Sequence, residues 1–128
     1  MIDASIRTVR SCLVMASLAI ASCSSRDGPE AVAKAFISDV AAGRQAEALE
    51  RYDPRLREVG GIMLGMSLAE GTARARRKGG VKDVRIVSTD LTDDTHATVT
   101  AEVHYGDGST NRESGKVRQI QGRWYVTA

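Results

Sequence analysis

The chain has 128 residues, of which 42% are hydrophobic, and this size suits one ordinary globular domain and is too small for two. Its formal net charge is only +2, so the charge balance gives no case for a nucleic-acid-binding protein. Aromatic residues make up 4% of the chain, which makes stacking platforms for bases or sugars scarce.

The first 22 residues have the pattern of a bacterial lipoprotein signal peptide. Arg7 and Arg10 supply a positive start, residues 13–21 form a short apolar core, and small residues lead into Cys23. The core is shorter than the ~20 apolar residues that span a bilayer. We therefore expect residues 1–22 to be removed and Cys23 to carry lipid, including palmitate. The alternative is an ordinary secretory signal that is cut near Ala21.

Residues 23–28 comprise the lipidated Cys23 and the predicted tether, residues 24–28, between the lipid and the domain. Five extended residues reach at most roughly 17 Å, so we expect the domain to lie close to the membrane. Cys12 is in the removed segment, and the mature chain has no partner with which Cys23 could form a disulfide. By analogy with lipoproteins generally, Ser24 predicts release to the outer membrane, on the periplasmic side of the bacterial cell envelope.

Two helices are predicted from residue 29 onwards. Pro29 suits the first helical position, apolar residues recur every four positions from Val32 to Val40, and Gly43 provides a left-handed cap. A second short helix is expected over residues 44–52. It ends before Pro54, because the residue before a proline avoids helical dihedral angles.

A third helix is predicted over residues 56–78. Its apolar stripe is expected to face a core. Gly61 and Gly65 match the small-residue spacing of closely packed helices, so we expect close packing on the first helix or on a sheet. The stripe consists of Val59, Ile62, Met63, Met66, Ala69 and Ala73.

A basic run closes this third helix before Gly79 and Gly80. Cations in a last turn complement the helix dipole, and near a membrane they are also suited to bind the phosphate groups of anionic lipids. Both interpretations remain open for its members, which are Arg74, Arg76, Arg77 and Lys78.

From residue 81 the pattern alternates, as in strands with one buried face. A first strand around Val84 and Ile86 is expected to end in a polar turn over residues 90–94. A second strand spans residues 96–105, and Asp107-Gly108 is a strong hairpin signal. Two further strands are predicted over residues 110–121 and 123–127. Helices followed by antiparallel strands predict an α+β domain.

Candidate catalytic or metal-binding groups are few. His96 and His104 share a strand face but lie about 26 Å apart, too far for one metal ion. His104 and Glu102, joined by Glu113 from a neighbouring strand, could form a metal site or an acid–base pair, but alternation assigns them to a solvated face. Residues 107–118 fail the calcium-loop pattern, since Arg112 occupies the position of its glycine. We assign no catalytic residue, metal or cofactor.

The stretch GPEAVAKAFISDVAAGRQAEALERYDP, followed by KGGVKDVRIVSTD, HATVTAEVHYGDGST and QGRWYV, resembles small bacterial lipoprotein domains of unknown function in the nuclear-transport-factor-like superfamily. The resemblance extends over the mature chain and consists of a diffuse pattern. It implies a cystatin-like α+β cone over residues 29–128, in which N-terminal helices pack in a strongly curved antiparallel four-stranded sheet. Such cones often leave a pocket at the wide end, for which Tyr52, Tyr105 and Trp124 are the candidate residues.

The superfamily contains ketosteroid isomerases and scytalone dehydratases as well as non-catalytic modules, so the fold does not decide the function. The inward row from Ala97 to Val103 carries no acid, histidine or lysine. We therefore expect a membrane-anchored, non-catalytic module that binds a small apolar ligand or an envelope protein. The alternatives are an isomerase-like or dehydratase-like enzyme and an architectural subunit of an envelope or secretion assembly.

Overall fold

A computed structural model describes residues 28–127, so the predicted signal peptide, Cys23 and most of the tether lie outside the described residues. The order of elements is helices first and strands after, which confirms the predicted α+β class. The helices are α1 (Pro29–Ala42), α2 (Gln45–Glu50) and α3 (Pro54–Arg77), and the strands are β1 (Val81–Asp93), β2 (His96–Tyr105), β3 (Thr110–Ile120) and β4 (Arg123–Thr127).

The four strands form one antiparallel sheet in the order β1-β2-β3-β4. Alternate residues of β2 are buried from Ala97 to Tyr105, and this row faces the helices as the sequence pattern predicts. The sheet is open, with β1 and β4 at its edges. The strong curvature expected of the cone is not confirmed.

Strand β1 is longer than predicted. The expected turn over residues 90–94 was wrong, because pairing with β2 continues to Asp93, opposite His96. Register irregularities near Ile86 and Leu91 interrupt the regular alternation that would have identified the strand. Asp93 Oδ1 accepts a hydrogen bond from the Thr95 amide at 2.8 Å, which closes a short turn.

Helix α1 covers the sheet and separates two parts of the core. One cluster joins Ala97, Val99, Val117 and Val126 to the first half of α1. The other cluster joins Val103 and Tyr105 of β2 and Ala75 of α3 to the second half of α1. Helix α1 ends at Ala42 and is capped by Gly43, whose φ of 77° is left-handed, as predicted.

Helix α3 buries a different face from the one predicted. Val59, Ile62, Met63 and Met66 are 91%, 85%, 72% and 67% exposed, so the expectation that this stripe faces a core was wrong. The buried side chains are Leu68 and Ala75, on another side of the helix. Non-helical dihedral angles at Gly60 also interrupt the periodicity near the start. The apolar stripe is therefore an exposed surface, which we call the α3 face.

Close packing of α1 on α3 is present, but at another glycine. A Cβ atom built on Gly71 would lie 2.8 Å from Val40 Cγ1, whereas one on Gly61 would meet nothing within 4 Å. The Thr72 hydroxyl donates a hydrogen bond to the Val40 carbonyl at 2.6 Å. The helices thus approach where Gly71 leaves room, and the predicted contact through Gly61 was wrong.

Two buried aspartates hold the helices in place. Asp39 of α1 accepts hydrogen bonds from Arg44 Nε at 2.9 Å and Arg51 Nε at 2.7 Å, which ties α1 to α2. Asp53 caps α3 by accepting from the Arg55 amide, and its own amide donates to the Val126 carbonyl at 2.9 Å. Within residues 28–127, no helix combines the length and apolar content needed to cross a membrane.

Candidate ligand pocket

Helix α1 does not fill the space above the sheet completely. One gap, which we call the apolar pocket, has a volume of about 120 Å³ and opens between α1 and the strands β3 and β4. Phe36 and Ile37 form its helical wall, and Val99 and Ala101 form its floor. Its other lining residues are Ala33, Glu113, Ser114, Gly115, Lys116, Val117 and Val126.

A second gap of about 140 Å³ lies beside the first and shares Phe36, Ile37 and Glu113 with it. We call it the tyrosine pocket, because Tyr105 forms part of its wall. Val40, Ala41, Gly71, Ala75, Val81 and Val103 provide apolar lining, and Arg74 adds a cation. Three groups that can bind polar atoms, Arg74, Tyr105 and Glu113, therefore face one small space.

Glu113 lies on the opposite face of the sheet from the one predicted from the sequence. It pairs with Ala101 across β2 and β3, and directly opposite residues project to the same side of a sheet, so it faces the helices. Glu102 pairs with Arg112 and belongs to the other face. The predicted grouping of Glu113 with Glu102 and His104 is therefore wrong. Its spacing from Gly115 and Val117 was the signal that could have revealed its orientation.

Tyr105 is only 5% exposed. Burial is the main cause that raises the pKa of its phenol, and the negative charge of Glu113 raises that pKa further, while Arg74 opposes the shift. Lys78 Nζ lies 4.7 Å from the centre of the ring and makes a cation–π contact. At neutral pH the phenol thus remains protonated and can donate a hydrogen bond into the pocket.

The predicted basic run is divided by the structure. Arg74 lines the tyrosine pocket, with its Nη2 atom 3.6 Å from Glu70 Oε1, and Lys78 covers Tyr105. Arg76 and Arg77 are exposed near the end of α3. Two members of the run thus contribute to the pocket region, and two remain on the surface.

The other predicted pocket residues lie elsewhere. Tyr52 packs edge-on against Phe36, with ring centres 5.1 Å apart, and joins the cluster around Val99. Trp124 packs against the same cluster and lines a separate depression beside Arg51 and Arg123. Tyr105 therefore lines the tyrosine pocket, whereas Tyr52 contacts Phe36 and is not among the residues that line this pocket.

The outer face of the sheet carries close contacts between carboxylates and basic side chains. His104 Nε2 lies 2.8 Å from Glu102 Oε1, and Arg112 Nε lies 3.7 Å from the other oxygen of that carboxylate. At the far end of β2, His96 Nδ1 lies 3.0 Å from Asp93 Oδ1. Across residues 28–127, no group of three or more histidine, cysteine, aspartate or glutamate residues is placed to hold a metal ion.

Helices packed on one face of a four-stranded antiparallel sheet give the domain an architecture that is similar to NTF2-like α+β folds. A Campylobacter jejuni protein provisionally named an NTF2-like transpeptidase superimposes with a TM-score of 0.71 at 21% identity, over 79% of this chain and 98% of that one. A SEC-C motif containing protein from Rhodopseudomonas palustris gives a TM-score of 0.56 at 19% identity, over 80% of this chain and 77% of the other. At such identities these similarities show the fold alone.

The sequence also identifies the family of the chain. A family model described as a domain of unknown function, DUF4878, matches residues 21–127, and the chain belongs to this family. No match was found among curated proteins.

Proposed function

We propose that the protein is a lipid-anchored lipoprotein of the bacterial cell envelope whose domain binds a small apolar group without catalysing a reaction. The apolar pocket carries this proposal. Its volume of about 120 Å³ is below the roughly 300–1,000 Å³ of pockets for drug-sized ligands. It is close to the ~150 Å³ of an apolar cavity that binds benzene, so one apolar side chain or a short acyl segment suits it.

The lining of the pocket supports binding rather than mere imperfect packing. Phe36, Ile37 and Val99 provide apolar walls, while Glu113 is a charged residue that faces the helices in the same lining. Ligand sites in proteins combine mostly apolar walls with a few polar groups that fix orientation. An apolar group entering here would remove the walls from water, which is the main favourable term in such binding.

A binding experiment with benzene tests the pocket. We expect benzene to shift the amide resonances of Val99, Ala101 and Glu113 in the nuclear magnetic resonance spectrum of the full chain. Ala33→Leu should abolish these shifts, because Ala33 lines the apolar pocket and a larger side chain would occupy it. Ala42→Leu, at the exposed end of α1, is the matched control and should leave them unchanged. Unshifted resonances in the wild-type protein would contradict the proposal.

The proposed envelope location is supported by the sequence before and after Cys23 and by the exposed surface of α3. Cys23 lies where a lipoprotein signal requires its cysteine, and a short tether joins it to the domain. The α3 face and the exposed Arg76 and Arg77 suit contact with an anionic membrane surface. Metabolic labelling with palmitate should mark the wild-type protein and leave Cys23→Ala unlabelled. Labelling of Cys23→Ala to the wild-type level would exclude anchoring through this cysteine.

An isomerase-like or dehydratase-like enzyme is the second candidate, because Tyr105 and Glu113 could serve as an acid and a base in the tyrosine pocket. A β,γ-unsaturated ketone is a suitable probe, since its isomerisation requires one proton to be removed and another returned. Our proposal predicts no turnover by the wild-type protein. Turnover that is lost in both Tyr105→Phe and Glu113→Gln would instead establish the enzyme.

An architectural subunit of an envelope assembly is the third candidate, which the unpartnered α3 face favours. Purification from detergent-solubilised membranes distinguishes it. This candidate requires a stoichiometric protein partner that is lost when Ile62 and Met66 are both replaced by serine. A wild-type protein that purifies alone would count against it.

A further inference from the structure

Strand β3 is only partly covered on one side. Its pairing with β2 runs from Thr110 to Arg118, whereas its pairing with β4 covers Lys116 to Ile120 alone. In the described part of the chain, residues 110–115 therefore form a strand edge beyond the end of β4. We call this segment the β3 edge.

The direction of the backbone groups along this edge follows from the hydrogen bonds on either side. The Gln119 amide donates to the Thr95 carbonyl at 2.7 Å, towards β2, while the Lys116 carbonyl accepts from the Thr127 hydroxyl on the β4 side. Antiparallel strands alternate the side to which successive residues direct their backbone groups. The amides and carbonyls of Arg112 and Ser114 thus point outward, in line with β4.

The apolar pocket adjoins this edge. Ser114 and Gly115 of the edge line the pocket together with Lys116, Val99 and Phe36. A strand added beside β3 would direct alternate side chains to the helix-facing side, opposite Glu113 and Gly115. Since Gly115 has no side chain, an apolar group opposite it would have direct access to the pocket.

The other face of the edge is basic. Arg112 and, next to the edge, Lys116 are exposed on the side of the sheet that faces away from the helices; the Arg112 side chain is 67% exposed, and Glu102 is its anionic neighbour at 3.7 Å. Opposite charges in directly facing strand positions are stabilising, and like charges are destabilising. Outward residues of an added strand would therefore be favoured if they were acidic.

We propose that residues Thr110–Gly115 of the β3 edge bind an extended segment of a partner protein as a fifth strand, in which inward apolar residues alternate with outward acidic ones. This inference rests on the proposed function, because it makes the apolar pocket the receptor for one inward side chain. It adds the kind of partner: a polypeptide held by backbone hydrogen bonds as well as by the pocket. Such strand addition derives affinity from the main chain and specificity from alternate side chains.

A synthetic peptide, Val-Glu-Val-Glu-Val, is the probe. With the full chain, hydrogen exchange should slow at the amides of Arg112 and Ser114 when the peptide is added. The amides of Asn111 and Glu113 should not change, because alternation directs them to β2. A Val-Lys-Val-Lys-Val peptide is the matched control, and repulsion by Arg112 and Lys116 should weaken its effect. If the Arg112 and Ser114 amides already exchange slowly in the free protein, the edge is covered and the proposal is wrong.

Two variants separate the edge from the pocket. Ser114→Pro removes the outward amide and should weaken binding of the acidic peptide roughly tenfold. Its fold should persist, since proline is tolerated where a strand amide faces solvent. Ser114→Ala removes only the hydroxyl, which lies 2.9 Å from that of Thr100, and should bind normally. Unchanged peptide binding by Ser114→Pro would overturn strand addition, whereas a wild-type pocket that ignores benzene would overturn the proposed function.

Discussion

Glu113 lies directly opposite Ala101 in the pairing of β2 with β3, so its carboxylate faces the helices beside Tyr105. A charged side chain in this position is unexpected, because its neighbours Val99 and Val103 are almost completely buried. The consequence is electrostatic coupling. After burial, which is the main cause, the charge of Glu113 is the next contribution that raises the pKa of Tyr105.

Replacing Glu113 by glutamine should lower the pKa of Tyr105 towards its ordinary value of 10.0 without restoring it, because burial remains. The phenolate absorbance measures this pKa, and the titration that disappears in Tyr105→Phe identifies it. Glu102→Gln, on the other face of the sheet, is the control and should leave the titration unchanged. Identical titrations of Tyr105 in Glu113→Gln and the wild type would show that the two groups are not coupled.

The same raised pKa makes stability depend on alkaline pH. The phenol of Tyr105 loses its proton less readily in the folded state than in the unfolded state, so its contribution is fully present below the unfolded pKa of 10.0. As pH rises through the higher folded value, that contribution is lost. Urea unfolding above pH 10 should therefore show a steeper loss of stability in the wild type than in Tyr105→Phe.

Two glycines of α3 should respond in opposite ways to alanine. Gly71→Ala places a Cβ atom 2.8 Å from Val40 and should lower the free energy of unfolding by about 1–3 kcal/mol. Gly61→Ala meets no atom within 4 Å and should raise it by up to ~1 kcal/mol, since alanine restricts the unfolded chain and favours helix. Circular dichroism during urea unfolding measures both. Equal stabilities of the two variants would contradict the close approach of α1 and α3.

The elements that the sequence predicts well are those with local signals. Pro29 and Gly43 bound α1, Asp53 and Pro54 follow the end of α2, and Gly79 follows the end of α3. Each acts through its own backbone dihedral angles or through a cap within a few residues, so a single sequence is sufficient. The alternation of β2 likewise depends on one strand and one core face.

The elements that the sequence predicts poorly depend on contacts with residues that are distant in the chain. Helix α3 has apolar residues on two sides, and its own periodicity cannot decide whether Leu68 or Ile62 is buried. The choice is made by the approach at Gly71 and by the cap at Asp53, which join α3 to α1 and β4. Similarly, the orientation of Glu113 follows from its register with β2, which spans a hairpin.

Asp39→Asn should destabilise the junction of α1 and α2. Although burial raises the pKa of Asp39, hydrogen bonds and charges from Arg51 and Arg44 outweigh it and hold that pKa below the usual 3.8. The carboxylate therefore contributes stability above pH 3.8, and this contribution is lost as pH falls through the lower folded pKa. Both arginines are partly exposed, so screening limits the loss at neutral pH to about 1–2 kcal/mol.

Chemical denaturation at neutral and acid pH measures the effect of Asp39→Asn. The difference between this variant and the wild type should shrink below pH 3.8, where the wild-type carboxylate also becomes neutral. Asp94→Asn, in the exposed turn after β1, is the control and should be nearly neutral at both pH values. A difference that stays constant as pH falls would rule out the charge of Asp39 as the cause.

The two apolar sides of α3 should differ sharply in their effect on stability. Ile62→Ser changes a side chain that is 85% exposed and should alter the free energy of unfolding by no more than ~0.5 kcal/mol. Leu68→Ala removes a side chain that is 3% exposed and should cost about 2–5 kcal/mol. Thermal unfolding of the two variants tests which side of the helix is buried. Greater destabilisation by Ile62→Ser would reverse the orientation of α3.

The proposed lipid anchor leads us to expect that the α3 face contacts the membrane. Ile62, Met66 and Ala69 share one side of the helix at spacings of four and three residues, and Arg77 follows on that side two turns later. Apolar residues bordered by arginine suit insertion at an anionic membrane surface. A polarity-sensitive dye on Ile62→Cys, in mature lipoprotein reconstituted into phosphatidylglycerol vesicles, should shift to shorter emission wavelengths. The same dye on Thr92→Cys, an exposed position of edge strand β1, is the control; equal emission at both positions would place the α3 face in water and leave it available to a protein partner.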